Sequence, residues 1–266
     1  MPADVNHEER AGRAWPVLAR QAALHGTMTY GELGSEISVH PRALGYTLGP
    51  ILRYCQDEGL PVLTALVVRG GSGLPGGALI AALGDTDIED ELHRVFAVDW
   101  AKIPNPFSYA AEGGTTQESM AETLVASPGR ASEIYALVRV RGVAQRVFRE
   151  ALLRAYEWSC AFCGLSFVDA LEGAHIVPWS KCAGGERLDP RNGLLLCATH
   201  HRLFDAGWLR ITSELRIEHD DTAANGAAYS EADEQVARAL HRRRLRRPVS
   251  AALLPAAAYI ARRAPQ

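Results

Sequence analysis

Two pairs of residues at matched spacing constrain this chain more than any other feature: two residues lie between Cys160 and Cys163, two between Cys197 and His200, and 33 residues separate the pairs. A two-residue gap lets both side chains of a tight turn point back at one centre, and thiolate and imidazole are the ligands that tetrahedral zinc takes. The four donors therefore predict a structural Zn2+ that clips two distant stretches of chain together. Residues 1–10 lack the basic start and apolar core of a secretory signal. No apolar run reaches the ~18 residues that a membrane span needs. The expected location is cytoplasmic, with no membrane partner, where thiols stay reduced and grouped cysteines point to metal rather than to disulfides. Cys55 and Cys182 match no such pair and read as ordinary small residues.

Between the pairs lie Ala174-His175-Ile176-Val177-Pro178 and Asp189-Pro190-Arg191-Asn192-Gly193-Leu194, and directly after them comes His201-Arg202-Leu203-Phe204-Asp205. The ordered series Cys-x2-Cys, Ala-His-Ile, Asn-Gly-Leu, Cys-x2-His-His, Phe-Asp resembles the HNH (ββα-metal) endonuclease family over residues 143–211. That resemblance implies a β-hairpin and a helix wrapped around a catalytic divalent ion, Mg2+ or another, with DNA as substrate. It makes His175 the general base, a role imidazole suits because it titrates near neutral pH. It makes His201 a ligand of the catalytic ion, while its neighbour His200 faces the zinc; adjacent helical residues diverge by about 100°. Asn192 then braces the loop or ligates the catalytic ion, and Asp189-Pro190 reads as a cap and first-turn proline. The sequence departs from the family at Ala174, where many members carry a second metal ligand. Asp205 or Glu172 is the expected replacement, or else more water.

The net charge of −3 conceals an uneven distribution. Residues 1–139 carry 10 Lys and Arg against 17 Asp and Glu, residues 140–212 carry 9 against 7, and residues 238–266 carry 8 against none. Local cationic clusters, not total charge, govern attraction to a polyanion. The DNA-contacting candidates are Arg191, Arg202, Arg243 and Arg246, with Arg42 in the first half. The run Arg242-Arg243-Arg244 with Arg246-Arg247 reads equally as a solvated helix end.

In the first half, residues 15–25 have helical apolar spacing, Thr29-Tyr30-Gly31-Glu32-Leu33 reads as a capped helix start, and Pro41 opens a third helix that Gly59 and Pro61 end. Residues 62–69 read as a strand leading into the glycine-rich turn 70–77. Three helices and a hairpin outline a winged helix. Thr29 to Leu33, with Pro41-Arg42-Ala43-Leu44-Gly45-Tyr46, is similar to the winged-helix domain of alkylguanine-DNA alkyltransferases. The nucleophilic cysteine of that family is missing near Leu60-Pro61-Val62-Leu63, which rules out alkyl transfer. What the resemblance leaves is DNA recognition, with Arg42 taking the space of a displaced base or serving a local structural role. The module is acidic, so docking of a protein or of a second copy, giving a homodimer, stands beside it.

The expected fold is α+β: a winged-helix-like module over 1–109, a linker over 110–139, and a zinc-braced HNH domain over 140–266 that ends in a basic tail. The expected function is a metal-dependent DNA endonuclease of restriction or phage-defence type, with modified-base dependence as its attractive version. The rival readings are a non-catalytic zinc-stabilised DNA-binding protein, and a nickase or RNase.

Overall fold

A computed structural model describes residues 5–111, 114–138, 140–220 and 229–263. The chain is of mixed helix and small-sheet (α+β) type, and its contacts divide it into two units: residues 1–116 with 138–142, and residues 117–137 with 143–266. No helix among the described residues is long and apolar enough to cross a membrane.

The first unit is helical. Helix α1 (His7–Ala23) starts earlier than the apolar spacing implies, because the Asn6 side chain accepts the amides of Glu8 and Glu9 and so extends it by a cap. Strand β1 (Met28–Thr29) leads into α2 (Tyr30–Glu36), where Thr29 and Glu32 form the reciprocal capping box that the sequence signals. A 3-10 turn at Pro41–Ala43 opens α3 (Leu44–Asp57), and Gly59, at φ 65°, ends it as expected. The ring of Trp15 meets Tyr54, Trp100 and Phe107 edge-on at 5.4, 5.8 and 6.3 Å, and these aromatics centre the core.

The strand expected over residues 62–69 shrinks to β2 (Val67–Val68), which pairs in parallel with β1. Residues Leu63–Leu66 form a buried 3-10 turn instead. The buried Glu91 carboxylate accepts the Val62 N–H at 2.5 Å and takes a donor that a longer strand would have paired. After the glycine turn, Val68 bridges Pro75, and the chain continues into α4 (Gly77–Leu83) and α5 (Ile88–Phe96).

Residues 117–137, most of the segment expected as a linker, are folded. Helices α6 (Gln117–Ala126) and α7 (Ala131–Leu137) bury Met120, Ala121, Leu124, Ala131 and Ile134, and they belong to the second unit. Their small and polar composition reflects close packing rather than freedom: a Cβ on Gly185 would fall 2.4 Å from the Ser132 hydroxyl.

Helix α8 (Arg141–Ala155) carries Phe148 and Leu152 against a two-stranded antiparallel hairpin, β3 (Leu171–His175) with β4 (Gly193–Cys197). Helix α9 (Ala198–Asp205) follows β4 directly, so the three elements form a ββα unit. Strands β5 (Leu209–Ile211) and β6 (Ile217–His219) pair next, followed by α10 (Glu231–Val236). The basic carboxy-terminal segment is no loose tail. Its backbone bonds in turn to Leu215, Ala161, Ala155 and Arg191, and it ends in α11 (Ala257–Arg263).

Candidate active site and metal centre

Beyond α8, consecutive left-handed residues Glu157 and Trp158 deliver the chain to Cys160. The knuckle closes because the Cys160 amide donates to Leu165, Gly164 donates back to the Cys160 carbonyl, and Gly164 adopts φ 80°, which favours glycine. On the other side Cys197 caps α9 and His200 lies in its first turn. The donor atoms of Cys160, Cys163, Cys197 and His200 all lie within 4.8 Å of one another. His200 Nδ1 is 3.6 Å from the Cys160 sulfur, close to the about 3.5 Å that tetrahedral zinc bond lengths imply for nitrogen and sulfur, and 3.0 Å from the Cys197 sulfur, which is closer than that geometry requires. The His200 Nε2–H donates to the Val236 carbonyl at 2.9 Å, which puts the ring lone pair on Nδ1, facing the sulfurs. A hydrogen bond from Cys197 pulls the Cys160 thiol well below its usual range, and the same sharing raises Cys197. The donor set fits a zinc ion, with one thiolate already favoured and the remaining protons released on binding.

The hairpin places the next residues. His175 ends β3 opposite Gly193, and both face α8: a Cβ on Gly193 would sit 2.5 Å from Phe148 Cζ, so only glycine lets the helix approach. The imidazole stacks on Phe148 with centroids 3.9 Å apart and 13° between planes, and Trp179 meets it edge-on at 5.6 Å. Its Nε2 lies 3.0 Å from the Arg187 carbonyl. A carbonyl only accepts, so Nε2 carries the proton and the basic lone pair is on Nδ1. Arg187 is itself fixed, donating to the Tyr135 hydroxyl at 2.8 Å and lying over the Tyr135 and Trp179 rings.

Asn192 takes the bracing role rather than that of a ligand. It is fully buried; its Oδ1 accepts the Val177 amide at 2.9 Å, and its Nδ2 donates to the Glu186 carbonyl at 3.0 Å and to the Cys182 sulfur at 3.2 Å. The expectation that it ligates a catalytic ion is corrected on these grounds: its amide is committed within the loop. Cys182, read as unremarkable, is part of the same brace. Asn192→Ala is expected to cost about 1–3 kcal/mol of stability by stranding the Val177 donor. Urea denaturation checks this, and a shift below about 0.5 kcal/mol would contradict it.

His201 diverges from His200 as helical geometry requires. Its Nδ1 lies 2.5 Å from Glu172 Oε2 and its Nε2 3.3 Å from Asp205 Oδ2. Strand alternation puts Glu172 on the same face as the buried Ala174, so a carboxylate missing at 174 reappears two residues earlier. His175, His201 and Asp205 line one cleft of about 790 Å3, together with Lys181, Arg210, Arg262 and Arg263.

The arginine candidates separate. Arg191 is bound to the buried Asp189 carboxylate at 2.7 and 2.9 Å, which also receives the Tyr259 hydroxyl, so its proposed DNA contact is corrected to a structural pair. Arg202, Arg243 and Arg246 are exposed, and Arg246 lies over Gly164 of the knuckle. Arg42 is exposed in the other unit. Sequence reasoning missed Arg263, whose guanidinium touches both β3 and α9; nothing in its neighbourhood of the sequence marks it off from the other carboxy-terminal arginines. No curated protein matches the chain. Residues 160–212, about a fifth of it, match the family model described as HNH endonuclease, so the segment that holds the ββα unit is similar to that family.

Proposed function

We propose that the protein is a metal-dependent endonuclease that hydrolyses DNA phosphodiester bonds, with His175 as general base. The observation that carries this reading is the pairing, in one cleft, of an imidazole whose Nε2–H is pinned by the Arg187 carbonyl with a second imidazole, His201, bracketed by Glu172 and Asp205. Nδ1 of His175 takes the proton of the attacking water, while stacking on Phe148 holds the ring plane during transfer. His201, Asp205 and Glu172 would hold the catalytic ion; one imidazole and two carboxylates suit Mg2+ or Mn2+. Such an ion supplies charge for the non-bridging oxygen and the departing alkoxide. Lys181 at the cleft and the exposed Arg202, Arg243 and Arg246 favour an anionic substrate. Cys160, Cys163, Cys197 and His200 would hold Zn2+ and keep β4 and α9 in register with the rest.

The first unit fits recognition better than chemistry. Its three helices and short parallel strand pair support the winged-helix reading, with Arg42 exposed for a DNA contact and an acidic surface that suits docking of a protein or a second copy. A recognition unit joined to a cutting unit is the plan of a restriction or phage-defence enzyme, and a modified base is the feature such a unit would read.

Incubating the full chain with modified and unmodified duplex DNA, single-stranded DNA, RNA and supercoiled plasmid, each with Mg2+ or Mn2+, tests the reading. Metal-dependent cleavage of duplex DNA is expected; conversion of plasmid only to the open circle would make it a nickase, and cleavage of RNA alone an RNase. Tight DNA binding with no cleavage of any form would replace the proposal with a non-catalytic DNA-binding protein. The ligand set has its own test: Glu172→Gln combined with Asp205→Asn should raise the half-saturating Mg2+ concentration by at least about tenfold. An unchanged metal titration would remove both carboxylates from the ion.

A further inference from the structure

We propose that Arg263 is a positioning residue that locks the strand bearing the general base to the helix bearing the metal ligands. The proposal rests on the nuclease reading above, and it concerns a residue well beyond the segment that matches the family. Arg263 Nη1 donates to the His175 carbonyl at 3.1 Å and to the Ile176 carbonyl at 3.0 Å. Nη2 donates to the Phe204 carbonyl and lies 3.7 Å from Asp205 Oδ1. The guanidinium carbon lies 3.5 Å from the centre of the Phe204 ring.

The His175 and Ile176 carbonyls lie where the β3 ladder runs out, and the Phe204 carbonyl, in the last turn of α9, accepts the Gly207 amide at 3.2 Å and has a second lone pair for the guanidinium. A planar fork with fixed donor directions reaches acceptors on two elements at once; an ammonium, a single point on a flexible stem, does not. The side chain is 16% exposed, and burial pulls its affinity for a proton down, so it holds its charge there through these partners. The rest of the helix is anchored as well: Tyr259 donates to Asp189, and Arg262 bonds Glu186 and the Lys181 carbonyl. The consequence is a fixed relation between the His175 ring and the Asp205 and His201 side chains. Displacement of about 1 Å between reacting groups is enough to cost about a hundredfold in rate.

The test compares wild type with Arg263→Ala and Arg263→Lys in the full chain, measuring kcat, KM for DNA and the ring resonances of His175 and His201 by NMR. Arg263→Ala is expected to lose about a hundredfold in kcat with KM within about threefold, to shift both ring resonances, and to recover part of its rate on addition of methylguanidinium but not methylammonium. Arg263→Lys keeps the charge and is the variant to use if Arg263→Ala does not fold; it should also lose most of its kcat. Wild-type kcat in a folded variant with unmoved resonances overturns the proposal, and so does a loss confined to KM, which would make Arg263 a contact to substrate phosphate. An inactive wild type sinks the nuclease reading instead, and the two ring resonances then still decide whether Arg263 orders the site.

Discussion

His175→Ala should reduce metal-dependent cleavage by at least about a hundredfold, and up to about ten thousandfold, while leaving DNA affinity within a few-fold of wild type. The asymmetry follows from where the ring sits. Its Nε2 is occupied by the Arg187 carbonyl and one face is covered by Phe148, so what it can offer substrate is a lone pair rather than contact area. Binding draws instead on Lys181 and the exposed Arg202, Arg243 and Arg246. His175→Gln is the companion variant, because an amide that keeps the bond to Arg187 keeps the position but lacks the basicity; it should be as inactive as the alanine. Removing the ring also removes the stack on Phe148, so thermal denaturation and zinc content must show each variant folded. Cleavage by folded His175→Ala at the wild-type rate would take the base role from His175.

The parts of this site that could be read from sequence are those in which residue type and spacing meet a strict chemical demand. Four soft donors in two short pairs admit few uses, and Cys160, Cys163, Cys197 and His200 do converge. Adjacent His200 and His201 had to diverge, and they do. The failures have one physical origin, which is that a side chain's partners are set by elements distant in sequence. Arg191 looked available to DNA until the fold buried Asp189 beside it and added Tyr259 from α11. Asn192 could serve as brace or ligand, and only the loop that returns Val177 and Glu186 to it decides for the brace. The residues around 110–139 look like a linker because Ala, Ser and Gly are also what close helix packing requires. Arg263 had no signal of its own, since one more arginine in a basic segment says nothing about which carbonyls it meets.

Cys197→Ser should have the largest structural effect of any single substitution in the chain. Structural zinc contributes an apparent ~10–16 kcal/mol where binding and folding are coupled, and a domain of ordinary stability has only about 5–15 kcal/mol in total. Cys197 is doubly placed: it is the last residue of β4, paired with Leu171, and the cap of the helix that carries His201. Loss of its thiolate therefore releases the hairpin, the knuckle and the metal-bearing helix together. The expected result is a fall from one bound zinc per chain to none, loss of near-ultraviolet circular dichroism from Phe162, which packs edge-on with His200, and from Phe204, which packs edge-on with Phe162, and no cleavage at any Mg2+ concentration. Chelation supplies the discriminating control, because a strong chelator removes both ions. Mg2+ alone should then fail to restore activity, whereas Zn2+ followed by Mg2+ should restore it, as the first ion builds the site that the second one uses. A Cys197→Ser chain that stays folded and cuts DNA, or a stripped chain revived by Mg2+ alone, would show that the ββα unit stands without its clip.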